Sequence, residues 1–358
     1  REPPSSSCRI NWSLLPTTAH GPSGSSVEGW RPQDRQTKSC DGTRKVLPNP
    51  DVTFVVPSLG TSHYLRDCLE SAATSDGVCA EIILVHPPSL TPAFDSIPDL
   101  RNVVSRREVG FSKACNLGIA ASSSEYVALL NDDATVEPKW AGELMAALRE
   151  APRAAAAQGV ILQMVEPQRL DGRGLEWNRS WQAVQIGHGE LAPDSSGPAT
   201  EVFGVSATAA LYRRSALDAV SLPQGQFFDE GLESYYEDVD LACRLRGAGY
   251  TALSVPSARA RHAGAVTTRN KPMHRYGLIY GNRYLVLARA LGRDFWLRLP
   301  QLLGRDTLDL GRSAVDFDPK KSLGILDGWV RAVRHLSLYL NTGAPQVRIE
   351  RRHEAKGS

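Results

Sequence analysis

Apolar residues along the chain fall into short runs whose period changes from strand-like to helix-like and back. VTFVVP (52–57) is an unbroken, β-branched run, the pattern of a strand buried on both faces. HYLRDCLESAA follows, with Tyr64, Leu65, Cys68, Leu69 and Ala72 at helical spacing. EIILVH (81–86) predicts a second strand, NVVSR (102–106) a weaker third and EYVALLN (125–131) a fourth. FSKACNLGIAASS predicts a helix of small residues between the third and fourth strands. PKWAGELMAALRE predicts another after the fourth, opened by Pro138. Strands alternating with helices specify a parallel sheet covered on both faces, so the class is α/β. In such sheets ligands bind beyond the carboxyl ends of the strands.

The second half is less regular. AAAAQGVILQ (154–163), SATAALYRR (206–214) and TALSVP (251–256) are strand candidates. YEDVDLACRLRGAGY (236–250) predicts a helix closed by Gly247 and Gly249. Residues 164–200 are loop-rich and carry two tryptophans in EWNRSW. Three amphipathic helices are expected to fill 273–340. Residues 1–50 are rich in Ser, Pro, Gly and Thr without sustained periodicity, and are expected to be disordered or loosely attached. The division is therefore an N-terminal segment (1–50), a catalytic domain (51–265) and a helical C-terminal extension (266–358).

Charge changes this picture in one place. The net charge of +2 over 358 residues is nearly neutral and argues against a nucleic-acid footprint. From Lys271 to Ser358, however, 16 Lys and Arg stand against 8 Asp and Glu, a local excess of +8. A basic, helix-patterned tail suits an anionic membrane surface or an acidic partner, and equally a solvated helical face. Cys8, Cys40, Cys68, Cys79, Cys115 and Cys243 show no CxxC spacing, and three of them lie in apolar helical patterns. That reads as reduced, buried thiols in a cytoplasmic protein. No run of 18 apolar residues and no apolar leader core is present, so a peripheral rather than spanning relation to the membrane's inner face is expected.

Candidate chemistry gathers where the fourth strand ends, in VALLNDDATVEP. Asn131, Asp132 and Asp133 follow an apolar run abruptly, and adjacent carboxylates repel. A solvated turn is one reading. A site for Mg²⁺ or Mn²⁺, which prefer carboxylate oxygens shared with substrate phosphates, is another. A phosphatase-type aspartyl nucleophile fails, because the residue in its place is Asn131. A second cluster, SYYEDVDLACR, puts Glu237, Asp238 and Asp240 at a helix start. Ser234 and Glu237 have the spacing of a capping box, and Asp240 can pair with Arg244. Asp238 has no such local duty and sits where the helix dipole favours its ionised form, as a general base requires. His262, in ARARHAG, follows a strand.

Together these pieces resemble the inverting glycosyltransferases of family 2, of GT-A fold, especially bacterial rhamnosyltransferase-like members. The resemblance runs from about Val52 to about Gly292. VTFVVPS…YLRDCLES resembles the family's opening strand and helix. VGFSKACNLGIAASSSEYVALLNDDATVEP resembles its most specific block, YYEDVDLACRLRGAGY the segment carrying the base, and RHAG its later histidine. The resemblance implies a nucleotide-sugar donor, a divalent Mn or Mg ion and direct displacement by a glycan, lipid-linked or small-molecule hydroxyl. It implies Asp133 and His262 as metal ligands and Asp238 as base, with Glu237 secondary. On the donor it implies Pro57, Ser58, Leu59, His86, Lys113, Asn116, Asn131 and Asp132. Two departures fall on nucleotide recognition: LVHPPSL places His86 where the family usually has Asp, and Gly60 stands where it usually has Asn. They leave open a non-catalytic relative that binds a nucleotide sugar or a glycan.

Overall fold

The computed structural model describes residues 50–92, 94–264, 272–340, 347 and 349. The expectation for the N-terminal segment and the domain boundary near 265 lie outside the described residues.

The first half follows the predicted alternation. β1 (Val52–Pro57), α1 (Leu65–Ala73), β2 (Ala80–His86) and β3 (Leu100–Val104) are followed by α2 (Phe111–Ala121), β4 (Tyr126–Leu130), a short β5 (Ala134–Val136) and α3 (Trp140–Glu150). The 102–106 strand thus begins two residues earlier than its apolar pattern suggested. Next come β6 (Ala154–Gln163), β7 (Leu170–Gly172), β8 (Leu175–Trp177), β9 (Ala183–Gln185) and β10 (Thr200–Val202). β11 (Ala209–Arg213) leads into α4 (Arg214–Ala219), α5 (Glu237–Gly247) and β12 (Thr251–His262). The last strand runs six residues beyond the predicted 251–256, so His262 ends it rather than following it. Three helices close the described chain: α6 (Pro272–Leu291), α7 (Phe295–Val315) and α8 (Pro319–Leu340).

The main sheet has the order β10-β12-β6-β11-β4-β1-β2-β3, with β5 on β12 and β7 on β6. β3, β2, β1 and β4 are mutually parallel, as the alternation required. β11 enters antiparallel between β4 and β6, which makes the sheet mixed. The segment leading into β11 therefore arrives at the carboxyl ends of its neighbours.

The unbroken apolar character of β1 reflects burial on both sides. Phe54 and Val56 pack with α1 and α3 around Leu69 and Trp140, while Val55 faces Cys115 of α2 and Leu241 of α5. Cys68, Cys115 and Cys243 are buried free thiols, and Cys79 is exposed and free. A third core, with Trp177, Trp181, Tyr236, Leu285 and Phe295, lies under the C-terminal helices. Both tryptophans of the loop-rich segment are thus core residues.

α6 and α8 cross almost backbone to backbone through Gly277 and Gly281 on one helix and Gly324 and Gly328 on the other. A Cβ at Gly281 would stand 2.9 Å from the Gly328 carbonyl oxygen, and one at Gly328 2.9 Å from the Gly281 nitrogen. Neither neighbour is a side chain that could turn away, so only glycine permits this approach. Among the described residues no helix is long and apolar enough to cross a membrane.

Candidate active site

The register of the parallel strands assembles the first part of the site. Val56 pairs with Leu84 of β2, and Val55 with Leu129 of β4. Continuing that register past the strand ends sets Ser58 beside both His86 and Asp132, all on one face by the two-residue period. The Ser58 hydroxyl donates to Asp132 Oδ2 at 2.5 Å and accepts from the Gly60 amide at 2.9 Å. Ser62 donates to the Asp132 carbonyl, and the Cys68 thiol to that of Asn131, so α1 grips the same corner. Gly60 has φ +76°, in the left-handed region that glycine and asparagine tolerate best. The departure from the family's usual asparagine therefore preserves the turn.

Asp132 and Asp133 are 7% and 5% exposed, so these are not the carboxylates of a solvated turn. Burial pushes Asp132 up to about 6, partly offset by the Ser58 hydrogen bond, with Asp133 adding repulsion. His262 Nε2 lies 3.2 Å from Asp133 Oδ1, and its Nδ1 lies 2.9 Å from Asp171 Oδ2. Burial alone would lower its pKa. The hydrogen bonds and charges of these two carboxylates prevail and raise it to about 9. The β5–β12 pairing joins Ala134 to His262, and this register brings the histidine to Asp133. Asp171, on β7, was not foreseen from the sequence. Its only signal there is an acidic residue beside glycine in LDGRG.

Asp133 and His262, 3.2 Å apart, offer a carboxylate oxygen and an imidazole nitrogen, donor types that suit a borderline divalent ion, and nearby in the chain Asn131 Oδ1 is a buried oxygen without a hydrogen-bond partner. Among the described residues no three His, Cys, Asp or Glu side chains are gathered so as to hold an ion by themselves. Further ligands would have to come from substrate oxygens and water.

The second acidic cluster is tied to the first by residues 206–208. The Asn131 amide donates to the Thr208 carbonyl at 2.9 Å, and the Ala207 amide to Asp238 Oδ2 at 3.3 Å. Asp238 also accepts from its neighbour Val239 at 2.8 Å. Burial raises the Asp238 carboxyl above its ordinary range, and these hydrogen bonds hold it back in part. The capping box does not form. Tyr236 occupies the cap position with φ +69°, and no side chain caps α5. The chain reaches the helix through a left-handed pair, Tyr235 and Tyr236, which turns Glu237 inward instead. Its Oε2 is buried without a partner, and burial followed by the Asp238 charge pushes its carboxyl well above the usual range. Asp240 does pair with Arg244, at 2.9 Å, and also with Arg289 of α6. These charges hold it below its usual range despite burial.

The remaining predicted positions divide. Pro57 ends β1, and Leu59 stands 40% exposed beside Ser58 at the strand ends. His86 is buried. Its Nδ1 lies 2.9 Å from the Pro87 carbonyl, and its Nε2 has no partner. Lys113 pairs with Glu230 at 2.9 Å. Asn116 departs from the reading as a donor ligand. Its amide nitrogen donates to the Phe228 carbonyl and to Glu230, and its oxygen accepts from the amides of Phe227 and Phe228. All four of its hydrogen-bonding capacities are spent on the 227–230 segment.

Residues 53–221 match the family model described as Glycosyl transferase family 2, and this segment carries β1 to β11. The succinoglycan biosynthesis protein ExoO of Rhizobium meliloti is 34% identical over 131 residues, covering 35% of this chain and 36% of that protein. The N-acetylglucosaminyl-diphospho-decaprenol L-rhamnosyltransferase of Mycobacterium tuberculosis is 35% identical over 96 residues, covering 27% and 29%. Both matches span about a third of the relatives' length. Among solved structures, the mannosyltransferase PcManGT of Pyrobaculum calidifontis, in complex with GDP-Man and Mn2+, aligns with TM-score 0.48 and 15% identity over 80% of this chain and 88% of its own.

The geometry of Asn116 generates a prediction. Asn116→Ala leaves buried amides and a carbonyl of the 227–230 segment without partners, each costing about 1–3 kcal/mol. The unfolding midpoint in urea is expected to fall, with nucleotide affinity of the folded fraction unchanged. Weaker nucleotide binding at unchanged stability would return Asn116 to the list of ligands.

Proposed function

We propose that the chain is an inverting, metal-dependent glycosyltransferase that moves a sugar from a nucleotide-diphosphate donor to an acceptor hydroxyl. One observation carries the reading. Two buried acidic clusters, one with a histidine at 3.2 Å and one at a helix start, are joined at the carboxyl ends of the strands by residues 206–208. The match of residues 53–221 to the family 2 model supports it.

In this reading Asp133 and His262 hold a divalent ion, with Asp132 and Asn131 directed to it or to the donor's ribose and diphosphate. Such an ion, when bound, neutralises charge on the departing diphosphate. Ser58 fixes the Asp132 carboxylate, and Asp171 fixes the imidazole ring of His262 through its second nitrogen. Pro57, Leu59 and His86 line the nucleoside, and Lys113 lies near the phosphates. Asp238, ionised, takes the acceptor's hydroxyl proton as that oxygen attacks the anomeric carbon opposite the leaving group. A raised pKa makes it a stronger base near neutral pH.

The acceptor is read as a glycan or a lipid-linked sugar. On α7, Leu297, Leu308 and Val315 are exposed along one stripe, and Arg298, Arg305 and Arg312 recur every seven residues along the adjoining one. Arginine stems lie along apolar surface while their heads meet phosphate, the chemistry of an anionic lipid face. By contrast most of α6 after Ile279 is buried, so it packs within the protein rather than on a membrane. A peripheral position at the cytoplasmic face of the membrane follows from this reading.

Three outcomes are expected. Asp133→Ala abolishes Mn²⁺-dependent binding of nucleotide diphosphates in a thermal-shift titration, and Asp171→Asn weakens it about 10–100-fold. Unchanged metal-dependent affinity in Asp133→Ala would refute the metal site. Asp238→Asn lowers transfer by roughly 10²–10⁴-fold with nucleotide affinity unchanged, whereas Glu237→Gln, which keeps the size and shape of the side chain, is close to silent. The base acts ionised, so wild-type activity falls as pH drops through the Asp238 pKa. That acid limb should lie above the ordinary aspartate range, and the reverse ranking of the two variants would move the base to Glu237. Finally, the protein should co-sediment with anionic but not neutral vesicles, and salt should release it. Binding to neither would leave α7 without a lipid role.

A further inference from the structure

The segment that delivers Asp238 is held in an unfavourable conformation by side chains of α6 and α8. Glu233 (φ +64°), Tyr235 (φ +65°) and Tyr236 (φ +69°) are all in positive-φ backbone, and none is glycine. L-residues avoid this region because Cβ crowds the backbone, so the surroundings must impose it. Asn282 of α6 is fully buried, and the two N–H groups of its amide are shared among three carbonyls of this segment: Leu232 at 2.8 Å, Ser234 at 3.0 Å and Tyr235 at 2.8 Å. Arg331 of α8 donates through Nε to Asn282 Oδ1 at 2.8 Å, which fixes the amide's orientation. Its two terminal nitrogens reach the Glu233 carboxylate at 3.0 Å and the Gly231 carbonyl at 2.6 Å. On the opposite side the Glu233 carbonyl accepts from Ser112, at the start of α2.

We infer that Asn282 and Arg331 are positioning residues for the reaction: they clamp residues 231–236 in the left-handed path that sets the start of α5, and so the direction of the Asp238 carboxylate. This rests on the proposed role of Asp238 as base. Neither residue touches the donor-side row of Ser58, His86 and Asp132, so the clamp acts on the proton-accepting step and not on nucleotide binding. A planar guanidinium serves three acceptors at fixed angles, which a lysine ammonium cannot reproduce. The α6–α8 glycine crossing brings Arg331 within reach of Asn282.

The test is a double-mutant cycle on the full chain with Arg331→Lys, Asn282→Asp and Asp238→Asn. Misplacing a catalytic group by an ångström can lower turnover about 10²-fold. Arg331→Lys is accordingly expected to lower kcat by about 10–100-fold with nucleotide affinity unchanged, and to shift the acid limb of the pH profile. In the Asp238→Asn background the same substitution should cost nothing more, because the two act as a unit. Losses that add in the two backgrounds, or a lowered Tm with kcat unchanged, would overturn the inference. If Asn282→Asp does not fold, Arg331→Lys, altered at the clamp's outer edge, carries the test. Hydrogen exchange separates this from the functional reading. If no nucleotide sugar is turned over by the wild type, the functional reading fails, and exchange at the Ser234 and Asp240 amides decides the clamp. Rates no faster in Arg331→Lys than in wild type would overturn it.

Discussion

The pairing of β1 with β4 is the constraint from which the site follows. It sets a serine hydroxyl against the first of two buried, adjacent carboxylates, where an unpaired charge would be costly. Repulsion between Asp132 and Asp133 is relieved in two directions, by Ser58 from β1 and by His262 from the end of β12. The relief is incomplete, since burial still raises Asp132 to about 6. Carboxylates left short of full satisfaction are what the proposed binding of a cation and a diphosphate would require. A hydrophobic sheet on either side keeps those groups rigid, because β1, β2 and β4 are buried on both faces and cannot shift register without exposing them.

The second constraint is the antiparallel entry of β11. It carries residues 206–208 to the carboxyl ends of parallel neighbours, and one short segment then touches both acidic clusters. Beyond it, the approach to α5 is strained, at a cost on the order of 1–3 kcal/mol for each left-handed, non-glycine residue. Buried ion pairs of Asp229 and Asp240 with Arg289, and of Asp240 with Arg244, lie next to that strain. Pairs of this kind add little net stability but disfavour every arrangement that leaves one charge alone. They tie the start of α5 and the 227–230 segment to α6 of the C-terminal helices. The helical extension is in this sense part of the site's support.

Much of the first half was legible before any coordinates. The strand–helix alternation predicted β1 to β4 within about two residues, because a strand buried on both faces must be continuously apolar, and such runs are conspicuous. Asp132, Asp133, Asp238 and His262 stood out in the sequence as polar residues at pattern boundaries, and the structure puts Asp133 against His262. The Asp240–Arg244 pair could be read because it is local, four residues apart on one helix. The capping box was equally local and did not form, because the backbone ahead of α5 is left-handed and turns Glu237 into the core.

What the sequence by itself determined is therefore the periodicity: which segments are strands and helices, which faces they bury, and which polar residues end up at strand termini. Those depend on neighbours in the chain. Tertiary structure alone decided the partnerships across it: Asp171 with His262 over 91 residues, Asn116 with the 227–230 segment, and Asn282 and Arg331 with the strained approach to Asp238. Each joins groups whose spacing along the sequence carries no period. Each depends on strand order, on the antiparallel entry of β11 or on a glycine crossing, and these are settled only when the packed elements choose their neighbours.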